Sequence, residues 1–247
     1  MISVCIPSYN GEKYIKHQLT SILDQLSPID EVVISDDSST DDTIKIIESM
    51  DDKRIVLLKN NKFRSPCYNM ENAINYSKGD IVFLADQDDI WEEQKLEIMT
   101  KFLENADLVV SDCFIVDSEN NIISDSFYQL MNSKSGFIKN LYKNSFIGCC
   151  IGFKRHVLEW ALPFPNRLPM HDIWIGLIVE MLGKTLFIDD KLLRYRRHGG
   201  NASFTGGRSQ YSFYYKVSYR LDLLTKLLIR YFKVKYHCCL NTNKKLI

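Results

Sequence analysis

The chain has 247 residues, 45% hydrophobic and 25% charged, with 31 Lys/Arg balanced by 31 Asp/Glu. That composition suits a soluble α/β domain, and no run approaches the ~20 apolar residues needed to cross a membrane. Seven cysteines without a Cys-x-x-Cys spacing argue against a zinc site or a disulfide framework and suit a reducing cytoplasm.

Residues 3–7 read as a first strand, because no basic segment precedes the apolar run as it would in a leader. A helix is expected over 11–26, a strand over 31–35, a helix over 40–50 with acids in its first turn, and a strand over 54–58. Ser65-Pro66 places a cap and a first-turn proline before a helix reaching Ser77. The run 81–85, Ile-Val-Phe-Leu-Ala, is β-branched and aromatic after the turn pair Lys78-Gly79, so it reads as a buried strand. A helix over 92–103 follows, with Glu92 and Glu93 near its positive end. This alternation predicts a Rossmann-like, mostly parallel sheet with helices on both faces, and ligands beyond the carboxyl ends of its strands.

The second half is mixed. A hairpin is expected from 107–116 and 122–124 across Asn120-Asn121, then a strand over 146–153. A helix over 173–182 opens at His171-Asp172, short strands follow at 184–188 and 191–195, and 198–208 reads as a mobile Gly-rich loop. Residues 126–145 show no decisive period. Without a repeat or linker, a single domain over 1–207 is expected, with a tail over 208–247.

That tail separates charge. From Arg208 onward there are nine Lys/Arg and one acid, Asp222, leaving 22 basic and 30 acidic side chains before it. A +8 tail on a −8 body points to an anionic partner for the tail. Leu221, Leu224, Leu228 and Tyr231 share a helical stripe, which suits a helix packed on the body or one lying on an anionic membrane. No nucleic-acid motif accompanies the basic residues, so no nucleic-acid partner is expected.

Asp86, Asp88 and Asp89 end the 81–85 strand. Three adjacent carboxylates repel unless a cation lies among them, and oxygen ligands favour Mg²⁺ or Mn²⁺ with a phosphate completing the shell. A solvated acidic turn is the plainer alternative. Asp36 and Asp37 end the second strand, where they suit a base or ribose; Ser39 or Thr40 with Asp41 and Asp42 suits ordinary helix capping. Asp172 reads either as a helix cap or as a general base. Arg196 and His198 open the Gly-rich stretch, which could close over an anion.

In combination these segments resemble the family 2 inverting glycosyltransferases of GT-A fold. The matching pieces are Val4-Cys5-Ile6-Pro7-Ser8-Tyr9-Asn10-Gly11, Ser35-Asp36-Asp37-Ser38-Ser39-Thr40-Asp41, Ala85-Asp86-Gln87-Asp88-Asp89-Ile90-Trp91, Met170-His171-Asp172 and Tyr195-Arg196-Arg197-His198. The Asp-Gln-Asp-Asp-Ile-Trp form is most similar to the rhamnosyltransferase-like branch that builds bacterial surface polysaccharides. The resemblance implies a UDP- or dTDP-sugar donor and a lipid-linked saccharide acceptor. It implies a nucleotide pocket at Pro7, Tyr9, Glu12, Asp36, Asp37 and Asp86, and Mg²⁺ or Mn²⁺ at Asp88 and His198. Asp172 would be the catalytic base, with Asp89, Trp91, Gly148, Cys149, His171 and Arg196 around donor and acceptor. Lys62-Phe63-Arg64-Ser65-Pro66 stands where the family commonly has a Gly-rich stretch. Such an enzyme would work in the cytoplasm or on the inner face of the plasma membrane. A nucleotidyltransferase also uses paired acids, but no Gly-rich, Lys-containing phosphate loop follows the first strand; a non-catalytic nucleotide-sugar binder could carry the same acids.

Overall fold

Short apolar runs assemble first into a block of parallel strands. In the computed structural model, which describes residues 1–168, 170–199 and 213–244, four strands pair all-parallel: β1 (Ile2–Ser8), β2 (Glu31–Asp36), β3 (Ile55–Leu58) and β4 (Ile81–Leu84). Their order is β3-β2-β1-β4. The connecting helices are α1 (Ile15–Leu23), α2 (Thr43–Ser49) and α3 (Pro66–Tyr76). Two right-handed crossovers step outward, so α1 and α2 share a face and touch there; the third steps back, laying α3 over β1 and β2 on the other face. Covered on both sides, Val4, Cys5, Ile6, Val32, Val33 and Ile34 are fully buried, which explains why these runs do not alternate.

Beyond β4 the sheet turns mixed. β4 pairs antiparallel with β8 (Ile151–Lys154), and β8 antiparallel with β6 (Leu108–Val116). β6 runs parallel to β9 (Thr185–Arg196), whose far end pairs with β5 (Ile90–Trp91). β7 (Ile122–Ser124) folds back on β6 as the expected hairpin.

Several expectations are corrected. The strand expected over 146–153 begins only at Ile151, because Gly148–Cys150 forms a 3-10 turn. The two short strands at 184–188 and 191–195 are one strand, β9, whose register against β6 breaks at Ser111 and Asp112. α4 (Lys95–Leu103) starts late, because Gln94 has φ 63°, a left-handed geometry that no right-handed helix runs through. α1 begins at Ile15 after a turn hydrogen-bonded to Gly11. Residues 126–145 hold α5 (Phe127–Met131) and α6 (Phe137–Tyr142), each too short to display a period.

α7 (Val157–Ala161) precedes α8 (His171–Leu182), which is buried at every residue from His171 to Val179. A helix apolar all round belongs in the core. α9 (Phe213–Lys244) packs on α6, α7 and α8 through Leu223 and Leu227. Arg230 anchors it, donating to the carbonyls of Trp160 and Leu162 at 2.9 and 2.8 Å. The Leu221, Leu224, Leu228, Tyr231 stripe is not the docked one: Leu221 is 59% exposed and Leu228 41%. Among the described residues no helix is long and apolar enough to cross a membrane. The expected loop at 198–208 lies outside the described residues beyond Gly199.

Candidate functional site

Five segments meet at the carboxyl ends of the parallel strands: the loops after β1, β2 and β4, the start of α8 and the end of β9. The register of β1 and β2 sets Ser8 opposite Asp36. Asp36 is buried and already engaged, accepting from Ser8 Oγ at 2.8 Å and from the Ser39 N–H and Oγ–H at 2.8 and 2.6 Å. Asp37 accepts the Phe63 and Arg64 N–H groups at 2.6 and 2.7 Å, fixing the segment where the family's Gly-rich stretch was expected. Neither Ser39 nor Thr40 caps α2; its N-cap is Asp42. Glu12 accepts the Asp42 N–H at 3.0 Å and Asp41 accepts the Glu12 N–H at 3.2 Å. Glu12 therefore brackets the start of α2, a backbone role that its residue type did not announce.

Tyr9, 55% exposed, is held by a two-way pair with Gln87: its N–H donates at 2.9 Å and its carbonyl accepts at 3.0 Å. Gly11 leaves room for that Gln87 side chain, which a Cβ would strike. Pro7, half-buried, precedes Ser8 opposite Ser35. The first and fourth strands are thus tied at their tips, with Tyr9 facing outward above them.

Under that tie lie the three acids. Asp86 keeps a water-facing edge, yet burial of its carboxyl, then the charges of Asp88 and Asp172, push it up to about 7. Asp89, 1% exposed, is pushed well above the carboxylate range by burial and by Asp88 and Asp86. One Asp89 oxygen accepts the Arg196 N–H at 2.9 Å; the other has no partner among the described residues. Asp88 Oδ2 lies 2.8 Å from His198 Nε2. Arg196, buried, donates to the carbonyls of Asp88 and Ser118, each at 2.8 Å, and stacks over Tyr14, which also touches the His198 ring.

The carboxylates of Asp86 and Asp89 suit a hard divalent cation, which would relieve the unsatisfied Asp89 oxygen and the raised acids. Cys149 Sγ, within 4.8 Å of both, is a soft donor held as a thiol by burial and does not suit it. Trp91 sits lower, 3% exposed, against Phe83 at 5.8 Å. It anchors the acid loop from the core and does not line an open pocket. Lys95, unremarked in sequence, is fully buried with Nζ 5.0 Å from the Trp91 ring and 2.9 Å from the Cys149 carbonyl.

Asp172 sits in the first turn of α8, but Met170 is the N-cap, so the capping alternative fails. Its Oδ1 accepts the Ile173 N–H at 2.6 Å, and Asn144 supplies a side-chain hydrogen bond. Burial pushes its carboxyl up to about 6. Asp86, Cys67 and Tyr219 lie close enough to feel its charge. His171 beside it is 3% exposed, and neither ring nitrogen has a partner among the described residues. Burial holds it down to about 4, and a Cβ on Gly148 would come within 2.9 Å of its Nε2. Asn144 and Tyr219 belong to this site and gave no signal in sequence, since each reaches it from a segment with no motif.

Residues 3–160 match the family model described as "Glycosyl transferase family 2". The chain belongs to glycosyltransferase family 2. A relative in this family, the UDP-Glc:alpha-D-GlcNAc-diphosphoundecaprenol beta-1,3-glucosyltransferase WfgD of Escherichia coli, is 30% identical over 73% of this chain and 70% of its own. The putative teichuronic acid biosynthesis glycosyltransferase TuaG of Bacillus subtilis is 29% identical over 79% of each chain. The S. aureus TarS 1–349 structure in complex with UDP-GlcNAc superposes with a TM-score of 0.67 at 20% identity, over 94% of this chain and 72% of that one. At that identity the likeness establishes the GT-A-type fold. Other matches are covered less fully: the chain spans 66% of the Nostoc uncharacterized glycosyltransferase alr2836 and 60% of another TarS 1–349 chain.

Proposed function

We propose that this family 2 member transfers a hexosyl or rhamnosyl group from a UDP- or dTDP-sugar to a hydroxyl of a lipid-linked saccharide. The setting is the cytoplasmic synthesis of a bacterial surface polysaccharide. The reading rests on one observation above all: Asp172, a buried carboxyl raised to about 6, stands beside the acid loop that ends β4. A carboxyl so placed is a competent base near neutral pH. The glucosyltransferase activity of WfgD, with its UDP-Glc donor and diphosphoundecaprenol-linked acceptor, and the UDP-GlcNAc bound to TarS support the donor and acceptor classes.

In a single displacement the acceptor oxygen forms a bond to the anomeric carbon while the bond to the diphosphate oxygen breaks, inverting that carbon. The hydroxyl proton passes to Asp172, and the bonding pair leaves with the nucleoside diphosphate. The oxocarbenium-like character of such a transition state favours a nearby anionic carboxylate. The Asn144 and Ile173 hydrogen bonds keep Asp172 oriented. Gln87, by fastening Tyr9, fixes the floor over which the nucleotide would lie. Asp88 and His198 would hold Mg²⁺ or Mn²⁺, which when bound offsets the charge of the departing diphosphate.

Asp172→Asn is expected to lower nucleotide release from donor plus acceptor by about a thousandfold, the scale of a lost general base, while donor binding by calorimetry is kept. Comparable turnover in that variant would remove Asp172 from the chemistry. Release of pyrophosphate in place of nucleoside diphosphate would make the protein a nucleotidyltransferase.

A further inference from the structure

α9 is apolar on two opposite faces, and the body covers only one. Leu223 and Leu227 are 1% and 0% exposed against the body. At 100° per residue, Val217, Leu221, Leu228, Ile229, Phe232 and Tyr236 fall within an arc of about 120° centred on the opposite side. Their exposures run from 39% at Val217 to 65% at Phe232 and Ile229. Thr225 and Ser218 are the polar residues within that arc. A helix with this pattern on its outer face calls for a second cover.

Charge decides what the cover is. Lys235 lies at one edge of the arc and Lys233 just beyond the other, both exposed, in a tail that carries nine Lys/Arg against Asp222 alone. Asp222 is itself engaged by Lys226 at 2.5 Å. A second copy would set lysines against lysines, with Asp222, already paired to Lys226, as the one acid at the edge of the face. An anionic lipid surface matches both features: apolar side chains enter the headgroup boundary and flanking lysines meet the phosphates.

We infer that the outer face of α9 is a docking surface for an anionic bilayer, on which the helix lies flat. The inner face of the same helix brings Tyr219 beside Asp172. Docking therefore leaves α9 between the bilayer and the Asp172 side of the body, so the helix holds the site close to the plane in which a lipid-borne acceptor travels. The bilayer contact itself stands on the helix and its charge, and needs no glycosyl transfer to be true.

The test is flotation of the full chain with vesicles of phosphatidylcholine alone or mixed with phosphatidylglycerol, at low and high salt. Binding is expected to the anionic vesicles, weakened by salt. It is expected to fall about tenfold or more in Leu228→Glu/Phe232→Glu and in Lys233→Glu/Lys235→Glu. Nucleotide release with a soluble acceptor should be unchanged in both variants, which shows that they fold and separates this inference from the assignment of the reaction. Equal flotation with neutral vesicles, no flotation with either, or a dimer by light scattering that Leu228→Glu dissolves would each overturn it.

Discussion

His171 buries an imidazole whose two nitrogens find no partner among the described residues. Leaving one such group unsatisfied costs about 1–3 kcal/mol, so the ring destabilises the fold unless a ligand hydroxyl engages it. His171→Leu is therefore expected to keep or raise the melting temperature while lowering transfer about tenfold or more. Gly148→Ala, which drives a Cβ toward Nε2, should lower transfer likewise. Normal transfer in a folded His171→Leu variant would leave the ring without a role. Its neighbour Asp172 gives a pH signature. With the carboxyl of the free protein raised to about 6, the base is active only when ionised, so kcat/KM should climb about tenfold per pH unit below about 6 and level off above it. Stability runs the other way. A folded pKa above the usual carboxylate value means that ionisation opposes folding, so the Asp172 contribution is lost as pH rises from about 4 to about 6. Denaturant melts of wild type and Asp172→Asn across that window should differ in slope; parallel curves would deny the shift. The position of Asp172 at the head of the buried helix was legible from the residues, while the role of base proposed for it came from the family resemblance and not from residue type. Asn144 was not, because it lies in a stretch whose helices are a turn or two long.

At the scale of elements, the strands β1, β2 and β4 were readable because burial on both faces leaves unbroken apolar runs bounded by turn residues. The 3-10 turn at Gly148–Cys150 was not, since its residues are as apolar as the strand that follows. β9 read as two strands because Asp189 and Asp190 interrupt its hydrophobicity, although the backbone carries the pairing through them with a register break. α9 shows a different limit. Its sequence holds leucines on two faces, and only the shape of the surface formed by α6, α7 and α8 selects Leu223 and Leu227 for burial. Leu227→Ala is accordingly expected to cost about 2–5 kcal/mol, and Leu221→Ala less than about 0.5 kcal/mol. Equal losses in urea unfolding would mean that the helix docks by another face.

Across the whole molecule, the acids of the site come from four separated stretches and fall into two groups. Asp36, Asp37 and Glu12 are occupied by Ser8, Ser39 and backbone N–H groups of the loops; Asp86 and Asp89 remain raised by burial and by neighbouring carboxylates, Asp88 foremost, and Asp172 by burial. Sequence showed acids at strand ends but not this division, because a carboxylate there can serve a backbone donor or a ligand equally well. The second group holds repulsion that a cation with a diphosphate would relieve, so binding and folding should be linked. With UDP and Mn²⁺ at about a hundredfold over the dissociation constant, linkage gives about 2.7 kcal/mol of added stability. For a chain of this size that corresponds to a rise in melting temperature of about 5–11 °C. Mn²⁺ without nucleotide should give a smaller rise, and Asp88→Ala should lose most of the rise seen with both. If UDP in EDTA raises the melting temperature as much as UDP with Mn²⁺, the nucleotide binds without a metal, and Asp88 and His198 pair for structural reasons alone.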